Sequence, residues 1–146
     1  MSRFCLGIAF SAIQAVFPAE TLTLSWTHSV EKIRWEEDYR IEEGRLVLVE
    51  ARIKGMGAGM EPTPDAVLRD GWWRFRPDRD PARKISLARS VDAGDYTLCS
   101  NGRCATLAEL VGPPPDGGAF IDLFPCPGNG SIRLMGREFP IDSLTH

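Results

Sequence analysis

The chain has 146 residues, of which 43% are hydrophobic and 25% charged, and it carries a formal net charge of -3. Its length suits one domain with one core, its composition excludes a disordered or fibrous chain, and its acidic balance excludes a nucleic-acid-binding surface, which needs a basic excess. No run reaches the roughly eighteen uncharged apolar residues that a membrane-spanning helix requires.

Residues 1–20 carry two readings. Phe4, Leu6, Ile8 and Phe10 alternate with the smaller Cys5, Gly7, Ala9 and Ser11, which predicts a first strand. One arginine followed by an apolar stretch also gives the segment the look of a residual export signal, although Gln14 interrupts it and Phe17 sits badly in a cleavage site ending at Ala19. The period-two criterion favours the strand.

The next segment, Thr21 to Ile41, holds the candidate site. Leu22, Leu24, Trp26, His28 and Val30 share one face of a strand, and Trp35, Glu37, Tyr39 and Ile41 share one face of the next. Two ionisable groups therefore point toward a core, where a charge is costly unless it is paired. A loop centred on Glu31 to Ile33 puts Leu24 opposite Ile41, Trp26 opposite Tyr39 and His28 opposite Glu37. A histidine held by a carboxylate has a fixed tautomer and a raised pKa, which suits ligand recognition, proton sensing or general base work.

Glu43-Gly44 turns the chain into Arg45 to Ile53, a β-branched run that reads as an inner strand. Lys54 to Pro64 is a loop; its Gly55, Gly57 and Gly59 lack the spacing, the helix and the lysine of a phosphate loop and offer a tight crossover or a small amide nest. Asp70-Gly71 leads into a short strand from Trp72 to Arg76. The basic residues Arg74, Arg76, Arg79, Arg83 and Lys84, diluted by Asp78 and Asp80, read as a solvated loop face. Strands are expected over Lys84 to Arg89 and Asp95 to Cys99, with one helical turn over Thr106 to Val111. Residues 113–118 form a stiff Pro/Gly connector to a C-terminal hairpin of Phe120 to Pro125 with Ser131 to Met135.

Short strands at eight-to-twelve-residue spacing, with no sustained helical period, predict an all-β antiparallel sandwich or partly open barrel with at most one short helix, forming a single domain over 1–146. Of the four cysteines, Cys99 and Cys104 flank an Asn-Gly turn and face each other at a distance that a disulfide tolerates. Cys5 and Cys126 are then left to pair. A bridged set points to the periplasm or cell envelope, and free thiols to the cytoplasm as the alternative.

No metal site is expected, because His28 and Glu37 lack close ligand pairs around them, and no cofactor is expected either. Ser29 points away from the face of its neighbour His28, and no nucleophile elbow occurs. An enzyme reading survives as a small hydrolase or isomerase using His28 and Glu37 as an acid-base pair.

The run Trp26-Thr27-His28-Ser29-Val30-Glu31, then Trp35-Glu36-Glu37, Gly57-Ala58-Gly59-Met60 and Asp70-Gly71-Trp72-Trp73, resembles the bacterial family called domain of unknown function 1850. The resemblance covers Leu22 to Arg76 specifically and Leu98 to Cys104 loosely, with nothing past Pro113. Members of that family are typically found beside TAXI-type TRAP transporters, which import small organic acids with the help of an extracytoplasmic binding protein. The resemblance implies a non-enzymatic accessory of such a system, binding a small organic-acid ligand or a transporter component. The expected ligand-binding residues are His28 as a switchable donor, Glu37 as its orienter, Ser29, and the loop amides of Gly57 and Gly59 next to Met60.

Overall fold

The fold comes from a computed structural model that describes residues 2–9, 11–27, 33–54, 63–127, 131–134 and 137–140, the last two runs by backbone alone. The strands are β1 (Arg3–Ile8), β2 (Ala12–Pro18), β3 (Leu22–Thr27), β4 (Arg34–Glu42), β5 (Arg45–Lys54), β6 (Val67–Arg69), β7 (Trp72–Phe75), β8 (Ile85–Arg89), β9 (Thr97–Ser100), β10 (Arg103–Thr106), β11 (Ala119–Pro125), β12 (Ser131–Leu134) and β13 (Arg137–Pro140). Among the described residues there is one short helix, α1 (Leu107–Val111), which opens with a capping box in which Thr106 and Glu109 each bond the other's backbone amide.

All pairing is antiparallel, and two sheets form a sandwich: a four-stranded sheet in the order β2-β1-β11-β8 and a seven-stranded sheet in the order β10-β9-β3-β4-β5-β7-β6. The sandwich expectation holds, and the described strands form no closed barrel. Alternation makes the core. Phe4, Leu6, Ile121, Leu123 and Leu87 of the smaller sheet meet Leu22, Leu24, Leu98, Tyr39, Leu46 and Leu48 of the larger, with Leu107 of α1 at the margin. Each such side chain, when fully buried, contributes about 1.5–3 kcal/mol by leaving water.

The other face of the smaller sheet carries a second cluster of Cys5, Ile13 and Phe124, with Val16 and Cys126 packed against it. The Cys5–Cys126 disulfide fastens it, and β12 lies against β2. The second bridge joins Cys99 and Cys104, which pair directly across the β9–β10 hairpin with Cα atoms 4.1 Å apart. That hairpin turns through Asn101 (φ 52°) and Gly102 (φ 77°), left-handed values that an Asn-Gly turn supplies at little cost.

Three expectations are corrected. The opening segment is a hairpin, not a single strand: Ala12–Pro18 returns beside Arg3–Ile8 after a bulge at Leu6/Gly7. The β3–β4 register is four residues tighter than expected, pairing Leu22 with Tyr39, Leu24 with Glu37 and Trp26 with Trp35. An even shift keeps every side chain on its face, so alternation fits both registers equally. The observed one stacks Trp26 on Trp35, centroids 6.0 Å apart and planes within 8°, a contact worth about 0.5–1.5 kcal/mol beyond burial. Finally, Phe120 to Pro125 is not half of a C-terminal hairpin. β11 lies between β1 and β8, burying Ile121 and Leu123 on one face and Phe124 on the other, while β12 pairs with β13.

Candidate functional site

The registers of the larger sheet line up its inner face in rows. Tyr96, which precedes β9, packs its ring on Trp26 at 5.6 Å; Trp26 pairs with Trp35, Trp35 with Ile53, Ile53 with Trp73, and Trp73 with Leu68. The sequence folds this way because Trp26, Trp35, Ile53 and Trp73 occupy alternate positions of their strands, so in-register pairing joins separate aromatics into one belt that runs out to the exposed Leu68. The next row reads Leu98, Leu24, Glu37, Ala51 and Phe75. Glu37 is thus the one charged side chain in an apolar row, flanked by leucine and by the small Ala51.

Its charge is answered from two directions. The Tyr39 hydroxyl, two residues along the same strand face, donates to Glu37 Oε1 at 2.7 Å. Arg79 reaches in from the loop after β7, its Nη1 lying 3.2 Å from Glu37 Oε2 and 3.1 Å from the Tyr39 oxygen. The main chain beside that loop is fixed by the Leu46–Ala82 bridge and by Arg76 Nε donating to the Val49 carbonyl. Glu37 and Tyr39 are buried, at 7% and 2% exposure, whereas the Arg79 side chain is half exposed.

Burial, reinforced by the charge and hydrogen bond of Glu37, pushes the Tyr39 phenol well above its ordinary pKa, and burial with the same carboxylate pushes Tyr96 up. Both phenols therefore stay protonated. With one Glu37 oxygen bound by a phenol and the other by a guanidinium, the carboxylate holds Arg79 in place. The guanidinium, exposed on its far side, keeps donors for an incoming anion. Trp35 Nε1 is buried and meets no acceptor among the described residues.

Of the residues expected from the sequence, Glu37 lies on the core face as alternation required. Its cross-strand neighbour is Leu24, not His28, and its partners are Tyr39 and Arg79. His28, Ser29, Gly57, Gly59 and Met60 lie outside the described residues. The strand ends that adjoin their segments are neighbours: Thr27 pairs with Arg34, and Arg34 with Lys54, at the belt end of the sheet.

Sequence reading missed Arg79 by assigning the whole basic cluster to solvent. Arg74 instead pairs with Glu50, Arg79 with Glu37, and Lys84 lies 3.7 Å from Asp122. The available signal was the unanswered charge of Glu37, which required a cation from elsewhere in the chain. On the opposite face of the same sheet, Arg52 is buried among Glu36, Asp38 and Glu50, with Nη1 2.6 Å from Asp38 Oδ2. Among the described residues no helix is long and apolar enough to cross a membrane.

A pair of antiparallel sheets, stapled by two disulfides and carrying an aromatic belt beside the Glu37-Tyr39-Arg79 cluster, defines a small β-sandwich protein. The model of the family described as Domain of unknown function (DUF1850) matches residues 22–107, and the chain belongs to that family. The match spans β3 to the first residue of α1, and so takes in both the belt and the Glu37 cluster. No curated protein and no solved structure matches the chain.

Proposed function

We propose that the protein is an accessory of a TAXI-type TRAP solute transport system, working in the periplasm or cell envelope, where it binds a small organic acid or the transporter's binding protein. The observation that carries this reading is the Glu37-Tyr39-Arg79 cluster in the rows beside the Trp26–Trp35 stack. It presents a half-exposed guanidinium held by a buried carboxylate and a buried phenol, a geometry suited to a carboxylate. Family membership supports the setting, and the two disulfides support an oxidising compartment. His28, Ser29, Gly57, Gly59 and Met60 complete the proposed site, because their segments leave neighbouring strand ends beside the belt.

The test has two arms. Biolayer interferometry reads binding of the transporter's extracytoplasmic binding protein, and a thermal-shift series with pyruvate, succinate and glutamate reads small acids. Binding in either arm that falls about tenfold in Arg79→Ala and falls in His28→Ala at unchanged melting temperature supports the reading. Silence in both arms, or binding indifferent to both variants, ends it.

A further inference from the structure

Strand β8 presents Ile85, Leu87 and Arg89 in turn to the sandwich interior, Ile85 and Leu87 packing in the main core and Arg89 pairing with Ala119 of β11. An arginine on a core-facing position needs acceptors for its five N–H groups. Arg89 has two among the described residues. Its side chain is 7% exposed; Nη2 donates to the Gly112 carbonyl at 3.0 Å and lies 3.6 Å from Asp95 Oδ1, and Nε is buried with no partner among the described residues. Asp95 cannot turn fully toward it, because its two oxygens accept from the amides of Tyr96 and Ala108. The other buried arginine, Arg52, shows what satisfaction looks like in this fold: carboxylates of Glu36, Asp38 and Glu50 all bond it.

Beside Arg89 is a cavity of about 300 Å³, walled by Asp95, Tyr96, Ala108, Pro113 and Pro114 with Arg89 itself, the Asp95 oxygens accepting from the amides of Tyr96 and Ala108. The space is at the small end for ligand pockets, and its walls are mostly apolar. A guanidinium short of acceptors next to a small apolar space is the arrangement that holds a compact monoanion with a hydrocarbon body. Its charge meets the part of Arg89 that lines the hollow while the body fills the space.

We propose that the cavity between the end of β8 and α1 is a second binding site, taking a small monocarboxylate with an apolar tail, with Arg89 as its anchor. The site is separate from the Glu37 cluster and does not rest on the transport reading. Tyr96 walls the cavity and packs on Trp26 of the aromatic belt.

The experiment titrates the full chain with hexanoate and with uncharged hexanamide, followed by ¹H–¹⁵N NMR including the arginine Nε–H resonances. Hexanoate is expected to shift the amides of 88–96 and 108 and one Arg Nε–H, and hexanamide to leave them in place. Arg89→Met, which removes an under-bonded buried charge, is expected to keep or raise the melting temperature while weakening hexanoate at least about tenfold. Ala108→Leu, which fills the hollow without touching the guanidinium, is expected to weaken it comparably, and it decides the matter if Arg89→Met does not fold. Arg79→Ala is expected to leave hexanoate binding as it was, so that failure here and failure at the Glu37 cluster are told apart. Equal binding of the amide, shifts scattered over surface lysines, or full affinity in Ala108→Leu would overturn the proposal.

Discussion

The hydroxyl of Tyr39 donates to the carboxylate of Glu37 at 2.7 Å, a bond between two residues on one face of one strand, inside the sandwich. It ties the phenol's protonation to the carboxylate's charge. Because burial and Glu37 hold the Tyr39 proton, and burial and Glu37 hold that of Tyr96, and the chain has only these two tyrosines, alkaline titration of the native protein is expected to show no phenolate absorbance near the ordinary pKa of about 10. Both pKa values are raised on folding, so their contribution to stability is complete below about pH 10 and is lost as pH rises above it. Phenolate absorbance should therefore appear together with loss of near-ultraviolet circular dichroism. A simple non-cooperative titration near pH 10 would contradict this. Tyr39→Phe, which leaves Glu37 with Arg79 alone, should cost about 1–2 kcal/mol in urea unfolding.

Asp38 gives the opposite sign at the acid end. Burial raises its pKa, but hydrogen bonds from Arg52 and Thr23 outweigh that, and the net shift is downward. The unfolded state therefore takes up the proton first as pH falls. Stability from this group is complete above about pH 5 and fades below about pH 4. The difference in urea midpoint between the parent chain and Asp38→Asn is expected to be largest at about pH 6 and to shrink toward pH 3. A gap independent of pH would show that the amide disturbs packing rather than charge.

Gly7 sits at the bulge between β1 and β2 with φ 157°, and a Cβ there would lie 2.2 Å from the Ala12 carbonyl oxygen. Backbone cannot step aside as a side chain can. Gly7→Ala should therefore destabilise by about 2–4 kcal/mol, read as a drop in melting temperature. Gly44→Ala, where nothing lies within 4 Å of the added carbon but φ is 72°, should cost only the smaller left-handed strain of about 1 kcal/mol.

The two disulfides close very different loops, with partners 121 and 5 positions apart. On chain entropy the longer closure stabilises by about 5 kcal/mol and the shorter by about 2 kcal/mol. Replacing Cys5 and Cys126 together by serine is expected to lower the urea midpoint more than replacing Cys99 and Cys104 together.

The face of each inner residue was legible in the sequence because alternation is local: Leu22, Leu24, Trp26, Glu37 and Tyr39 all point where a period of two puts them. The register between their strands was not, since a shift by an even number of residues leaves those faces unchanged, and only the meeting of Trp26 with Trp35 separates the alternatives. The asparagine-glycine hairpin and its disulfide could be read, because turn chemistry is written in adjacent residues. The place of Phe120 to Pro125 between Arg3–Ile8 and Ile85–Arg89 could not, because pairing of distant segments leaves no neighbouring signal. Arg79 escaped for the same reason. Its role comes from a carboxylate more than forty positions away, and a loop full of arginines looks solvated until one of them is needed inside.

The placement of β11 also sets an order of events during biosynthesis. The β1–β2 hairpin is made well before β11, so Phe4 and Leu6 have no sheet neighbour on the open side until Leu123 and Pro125 arrive. Cys5 stays a reactive thiol for the same interval, in the presence of Cys99 and Cys104, which emerge before its own partner. Oxidising the chain before β11 is in place is therefore expected to yield misbridged forms. Adding a thiol-disulfide isomerase to an oxidative refolding mixture is expected to raise the native yield above that with an oxidant alone.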